Sequence, residues 1–351
     1  MRVSRDVAVV EDPRYREHVG PAGHPERPER LTPVAEAIAA RAGRLEALAP
    51  RPATPDEILR VHERSHLEGI AEAVRHAPAH LDPDTYVSSE SLDVALLAAG
   101  GTIELVRRVA RGESRCGLAA VRPPGHHAES NRAMGFCLFN NAALAARAVQ
   151  VEEGVERVLL LDWDVHHGNG SQHSFESDPS VLYFSTHQFP FYPGTGDFGE
   201  AGRGRGEGAT LNVPLPAGSG DVEYVGALQR ILVPVGRGFR PDLVLVSCGF
   251  DAHVLDPLAS MDVTARGFRA MTAIVRALAD DLCEGRLACV LEGGYSLEGL
   301  REGVDAVLDG LLEDAPALPE SVELTPGSTL KGVVDRVAQV HGQTFSGLGA
   351  A

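Results

Sequence analysis

The chain has 351 residues, 44% of them hydrophobic and 23% charged, with a formal charge of -17. So acidic a chain is a poor partner for a nucleic-acid backbone; it suits a cationic substrate, or simple solubility. No stretch approaches the roughly 18 apolar residues of a membrane span, and MRVSRDVAVV lacks a signal-peptide core, so a cytoplasmic protein that engages no membrane is expected. The five cysteines (Cys116, Cys137, Cys248, Cys283, Cys289) form no CxxC pair and read as buried free thiols in a reducing compartment.

In chain order, Val7 to Val10 reads as a short strand, followed by a proline-punctuated loop from Asp12 to Arg30 that contains GHPERPERL. Pro28 suits the first turn of a helix running through Leu31, Val34, Ile38 and Leu45. Thr54 is placed to cap a short helix at Asp56 to Val61. His66 to His76 is helical in pattern, Ala79 to Ser91 reads as a loop, and a helix follows over 92–109. Thereafter strands and helices alternate. Strands are expected at Cys116–Val121, Val158–Leu161, Val181–Phe184, Leu211–Leu215, Leu243–Ser247 and Leu287–Leu291. Helices are expected at Ala142–Val149, Val225–Val235 and Phe268–Leu278. The alternation predicts an α/β fold, a parallel sheet with helices on both faces and its site beyond the carboxyl ends of the strands. The Gly-rich stretch from Gly194 to Gly208 has no strand leading straight into it, so a nucleotide fingerprint is rejected. Residues 1–315 form one catalytic domain; 316–351, with an amphipathic run from Leu330 to Val340, are an extension that packs on the body or on a partner.

The organising stretch is RVLLLDWDVHHGNG, from Arg157 to Gly170. An apolar strand that ends in Asp162, Asp164, His166 and His167 buries ionisable groups that need a counter-charge, and a metal supplies one. Alternation along a strand points Asp162, Asp164 and His166 the same way. Asp251, in GFDAH after another strand, joins Asp164 and His166 as the natural third ligand. Two carboxylates and one imidazole suit zinc with open positions, hence a catalytic site. His126 and His127, on a loop stiffened by Pro123 and Pro124, suit general acid–base work beside such a metal. Asp162 is a candidate acceptor that orients one imidazole. Tyr295, after Gly293 and Gly294, reads equally as an oxyanion donor or a packed core residue. Phe136 and Tyr192 read equally as walls of a narrow channel or as loop anchors.

The motifs RPPGHHAE, MGFCLFNN, DWDVHHGNG, FYPGTGD, GFDAH and LEGGY, in this order, resemble the histone deacetylase / acetylpolyamine amidohydrolase superfamily. Class II-like bacterial members are most similar, over about Tyr15 to Asp309. The resemblance implies an arginase-like fold with a central, mostly parallel eight-stranded sheet. It implies a zinc-dependent amidohydrolase, with one zinc per chain, that removes acetyl or related acyl groups from amines such as acetyl-lysine. In that picture Asp164, His166 and Asp251 hold zinc, His127 is the main base and acid, His126 assists electrostatically, and Tyr295 polarises the acyl carbonyl. Phe136 and Tyr192 flank the substrate stem with Gly135 beside them, and Asp84 and Leu258 lie at the rim. One or two structural potassium ions are implied, the first at Asp162, Asp164, His166, Ser185 and Thr186, the second around Phe175, Asp178 and Val181. Where class I enzymes place an Asp after the HHG, this chain has Asn169, as class II-like members do. Leu258 stands where a polyamine-specific branch carries a glutamate. An acetylpolyamine amidohydrolase or small-metabolite deacylase is the nearest alternative, a manganese ureohydrolase of the same architecture a more distant one. Homo-oligomerisation is left open.

Overall fold

The computed structural model describes residues 7–345, 347 and 348. Among the described residues ten strands occur in chain order: β1 (Val7–Val10), β2 (Leu45–Leu48), β3 (Ala79–Asp82), β4 (Thr85–Val87), β5 (Cys116–Ala119), β6 (Val158–Asp162), β7 (Val181–Gln188), β8 (Thr210–Leu215), β9 (Leu243–Cys248) and β10 (Leu287–Leu291). Eight of them form one sheet in the order β2-β1-β5-β10-β9-β6-β7-β8, with every neighbouring pair parallel. The apolar runs VLLLD, LVLVSC and LACVL are buried throughout because helices cover both faces. Cys116 reaches the helix Leu297–Leu312 through Leu311, while its neighbour Gly117 faces Leu105 of the helix Ser91–Ala110. Adjacent strand residues point to opposite faces, so these two helices sandwich the sheet.

The order also explains where the site lies. From β6 the chain moves outward through β7 and β8; from β9 it moves the other way to β10. Between β6 and β9 the connections therefore diverge, which opens a crevice above the strand ends. Register keeps those ends level: Asp162 of β6 pairs with Ser247 of β9 and Ser185 of β7.

Several local expectations need correction. The first helix stops at Ala39, and Leu45 instead opens β2, a half-buried edge strand. Ala79 to Ser91 is not a plain loop: β3 and β4 form an antiparallel hairpin with Pro83 and Asp84 in its turn. The strand at Val181 continues to Gln188, and the helix Leu297–Leu312 was not foreseen. Thr54 does cap its helix, in a reciprocal capping box with Glu57. The helix Thr329–His341, capped by Ser328, buries Leu330, Val333, Val334 and Val337 against β8 and the helix Asp221–Ala227. The strand of chain leading to it is tied down by Gln229 and Arg230, which bond the backbone of Glu320 and Val322. Among the described residues no helix is long and apolar enough to cross a membrane.

Candidate metal centre and active site

β6 ends at Asp162, so Asp164 and His166 stand on the loop beyond it rather than in the strand. Asp251 stands on the loop after β9. Ligand atoms of these three lie within 4.8 Å of one another. Backbone amides decide how the carboxylates turn. Asp164 Oδ2 accepts the N–H of Gly293 at 2.8 Å, and Asp251 Oδ1 accepts that of Val165 at 2.9 Å. Their other oxygens are left to face His166 Nδ1, at 3.2 and 3.1 Å. Gly249 and Gly293 are needed for this approach: a Cβ on either would lie 2.1 Å from a carboxylate oxygen of Asp164 or Asp251. Burial, with Asp164 alongside, pushes Asp251 up to about 7. Burial works against charge on His166 too, but hydrogen bonds to Asp164 and Asp251 outweigh it and push the imidazole up to about 10. Two carboxylates buried side by side against one imidazole are relieved by a divalent cation, and the Asp–His–Asp set is consistent with zinc.

The two adjacent histidines differ sharply. His126 Nδ1 lies 3.0 Å from Asp162 Oδ2, which also accepts the Tyr183 hydroxyl at 3.1 Å. Burial opposes its charge, but Asp164 and Asp162 prevail and raise it to about 10. His127 Nδ1 lies 2.8 Å from Asn169 Oδ1. Burial and the neighbouring imidazoles of His126 and His166 drive it well below the ordinary value. Their surroundings pull the two imidazoles in opposite directions, His126 toward the charged form and His127 toward the neutral one, the kind of split that separates roles in acid–base sites.

The loop after β10 supplies Tyr295. Burial keeps its phenol protonated, well above the usual range. Its backbone N–H and that of Ser296 are held by Asp256 Oδ2, at 2.6 and 3.2 Å. A cleft of about 80 Å³ is lined by Asp84, His127, Gly135, Phe136, His166, Tyr192, Leu258 and Tyr295. Gly135 has a φ of 56°, and a Cβ there would stand 2.3 Å from the His127 ring. Tyr192 meets the His127 ring edge to face at 5.1 Å, and Phe136 meets Tyr295 at 5.7 Å. Asp84 reaches the cleft from the hairpin turn.

Some named positions lie elsewhere. Ser185 and Thr186 lie on β7, where Ser185 bonds His187 Nδ1 and Thr186 Oγ1 is buried without a partner. Phe175, Asp178 and Val181 form the turn into β7, where Asp178 binds Arg147 and Ser180. None of these lines the cleft.

Three buried acids escaped the sequence reading. Glu292 accepts the backbone N–H groups of Gly125 and His126, at 2.6 and 3.1 Å, and so ties the histidine loop to the tyrosine loop. Glu26 lies between Arg30 and Arg122; burial works against its charge, but the two guanidinium groups hold it far below the usual range. Arg30 in turn grips the carbonyls of Glu292 and Gly294 and covers the Tyr295 ring at 4.8 Å. Asp256 is the third. Glu292 had a signal of the kind used for Asp162, a carboxylate closing a buried strand. Glu26 and Asp256 had none: Arg30 lies only four positions from Glu26, but Arg122, and the Tyr295 and Ser296 amides held by Asp256, are far away in sequence.

The histone deacetylase domain family matches residues 24–311. Histone deacetylase 15 of Arabidopsis thaliana is 41% identical over 320 residues, 89% of this chain and 57% of that protein. A probable deacetylase of Archaeoglobus fulgidus is 40% identical over 295 residues, 83% of this chain and 82% of that one. Histone deacetylase HDA1 of Saccharomyces cerevisiae is 37% identical over 361 residues, 95% and 50% respectively. The chain thus spans from about half to about four fifths of these relatives' length. The crystal structure of the HDA15 HD domain superimposes with a TM-score of 0.89 at 38% identity, over 97% of this chain and 98% of that one. The chain belongs to the histone deacetylase family, and its eight-stranded parallel sheet is that family's arginase-like fold.

Proposed function

We propose that the protein is a zinc-dependent deacylase that removes acetyl or similarly small acyl groups from amines. The observation that carries this reading is a narrow cleft lined by His127, His166 and Tyr295, with His166 held beside Asp164 and Asp251 as a three-ligand set at its floor. A divalent ion bound there supplies a Lewis acid for the acyl oxygen and lowers the pKa of water. His127 takes the proton of the attacking water at Nε2, since Nδ1 is engaged by Asn169. Tyr295 donates its hydroxyl to the acyl oxygen as negative charge develops. His126, held charged by Asp162, contributes field rather than proton transfer. His127 then returns its proton to the leaving amine.

The 80 Å³ cleft between Phe136 and Tyr192 suits a linear stem and a small acyl group. Asp84 at its rim and the charge of -17 suit a substrate that carries positive charge beyond the acylated nitrogen, a basic peptide or an acetylated polyamine alike; acetyl-lysine is placed first because Leu258 stands where the polyamine-specific branch carries a glutamate. Among the described residues there is one such three-ligand cluster, which disfavours a two-metal ureohydrolase. A potassium ion on the carbonyls of Asp162, Asp164, His166, Ser185 and Thr186 belongs to the same proposal, as does a second at Phe175, Asp178 and Val181. The class II-like bacterial placement does too, and Asn169 supports its class II-like half. Five free, buried cysteines support a reducing, cytoplasmic compartment.

The test compares kcat/KM for an acetyl-lysine peptide and an acetylated polyamine, in zinc-loaded and chelated protein. Preference for the peptide with loss on chelation is expected. Activity that survives complete metal removal would overturn the mechanism, and preference for the polyamine would overturn the substrate order.

A further inference from the structure

Asn169 poses a chemical question that its contact with His127 does not answer. Its amide has a carbonyl end and an NH2 end, and only the carbonyl end leaves His127 a usable base. If Oδ1 faces Nδ1, then Nδ1 must carry the proton and Nε2 presents a lone pair to the cleft. If the amide turns over, the NH2 group donates to Nδ1 and the proton moves to Nε2, where it blocks base catalysis. Something must hold the amide one way round.

The surroundings of Nδ2 supply it. That atom faces acceptors alone: Glu129 Oε1, the backbone carbonyl of His127 at 3.4 Å and the sulfur of Met134 at 3.5 Å. Glu129 is the charged one and makes the shortest contact. Turning the amide over would press its carbonyl oxygen against that carboxylate. Glu129 is itself held from outside, where both of its oxygens meet His173 Nδ1, at 2.9 and 3.0 Å. A chain of contacts therefore runs from the surface at His173 through Glu129 and Asn169 to the ring facing the substrate.

We propose that Glu129 is a positioning residue that fixes the amide of Asn169 and thereby keeps His127 in the Nδ1-protonated tautomer. This rests on the deacylase reading for its consequence in turnover, but not for the tautomer itself. Glu129 touches neither substrate nor metal ligand; it acts through Asn169. No covalent step is involved, only the choice between two neutral forms of one imidazole.

The experiment uses zinc-loaded protein with 15N-labelled histidine and reads both ring nitrogens of His127 by long-range proton–nitrogen correlation, beside steady-state kinetics. Wild-type protein should show a single tautomer with a bare Nε2. Glu129→Leu should mix the tautomers and lower kcat on the order of 10- to 100-fold, the usual cost of losing such a supporting partner, with KM and zinc content unchanged. Glu129→Gln still offers an acceptor oxygen and should restore both the single tautomer and most of kcat. A second variant guards against misfolding of the first. Asn169→Asp sets a carboxylate against Glu129 and should lose activity, and adding Glu129→Gln should recover it. A wild-type nitrogen pattern in Glu129→Leu, or an Asn169→Asp defect indifferent to residue 129, would overturn the proposal. A wild-type protein without activity on any acyl amine would instead sink the deacylase reading, while the nitrogen pattern would still decide the tautomer.

Discussion

The crevice above β6, β9 and β10 and the surface above β8 bury side chains by opposite rules. In the crevice, Asp162, Asp164, Asp251, Glu292 and Glu26 are all buried carboxylates, and each meets donors of known identity. Above β8, the helix Thr329–His341 docks through Leu330, Val333, Val334 and Val337. The one polar group it buries there, His341, has an Nε2 atom without a partner. The first region is specified by giving each buried carboxylate its own donors, the second by filling volume. Removal of a single group should therefore act differently in each: in the crevice it strands a partner, and above β8 it leaves a gap.

The largest expected effect is on turnover. Tyr295→Phe removes one hydroxyl from a cleft whose shape Asp256 and Arg30 hold, so folding and zinc content should be unchanged while kcat falls on the order of 10²- to 10³-fold. Unchanged kcat would return Tyr295 to a packing role. Next comes Glu26→Leu. Arg30 and Arg122 would then be buried with their shared counter-charge gone, which costs about 3–5 kcal/mol when one partner of a buried pair is removed. Urea unfolding measures it, and a loss below about 1 kcal/mol would show that the arginines find other partners. Because Arg30 also carries the Gly294 carbonyl, kcat should fall in the folded fraction as well.

The same contrast governs what could be read from sequence. The six strands from β5 to β10 were legible because burial on both faces leaves uninterrupted apolar runs, and the ligands were legible because ionisable groups close two of those runs. Leu45 was misread because an edge strand is only half-buried and its four residues carry little pattern. The hairpin at Asp84 was hidden by Asp, Pro and Ser, which mark its turn but also suggest plain loop. The helix Leu297–Leu312 was hidden by its glycines. Gly299 packs against His253, Gly303 against Phe250 and Gly310 against Thr272, so residues that argue locally against a helix are there for close packing. Glu26 and Arg122 are 96 positions apart, and only the fold puts them together.

Leu330→Ala tests the other half of the comparison. Leu330 is buried against Gly226, so the change opens a cavity without stranding a charge, at a cost of about 2–5 kcal/mol. Unfolding should become easier while kcat at 25 °C stays at the wild-type value, which separates this face from the crevice. Loss of activity in fully folded protein would mean that the helix reaches the site after all.

The smallest effect is a dependence on pH, and its sign follows from burial. Burial lowers His341 to about 4, so it is neutral in the folded protein at pH 7 and also at pH 5.5. In the unfolded chain it titrates near 6.5 and takes up a proton across that interval. A depressed folded pKa favours folding above the unfolded value and withdraws that support as pH falls toward 4. Between pH 8 and pH 5.5 the expected loss from this one group is about 1 kcal/mol. His341→Gln cannot titrate, so whatever fixed cost it brings, the difference in stability between variant and parent should shift by that amount in the variant's favour on acidification. His18, His62 and His167 are depressed for the same reason and steepen both curves alike, so they cancel in the difference. Parallel stability curves for the two proteins would mean that water or an unrecognised partner reaches His341, and that the surface above β8 is not the dry, volume-filled contact that sets it apart from the crevice.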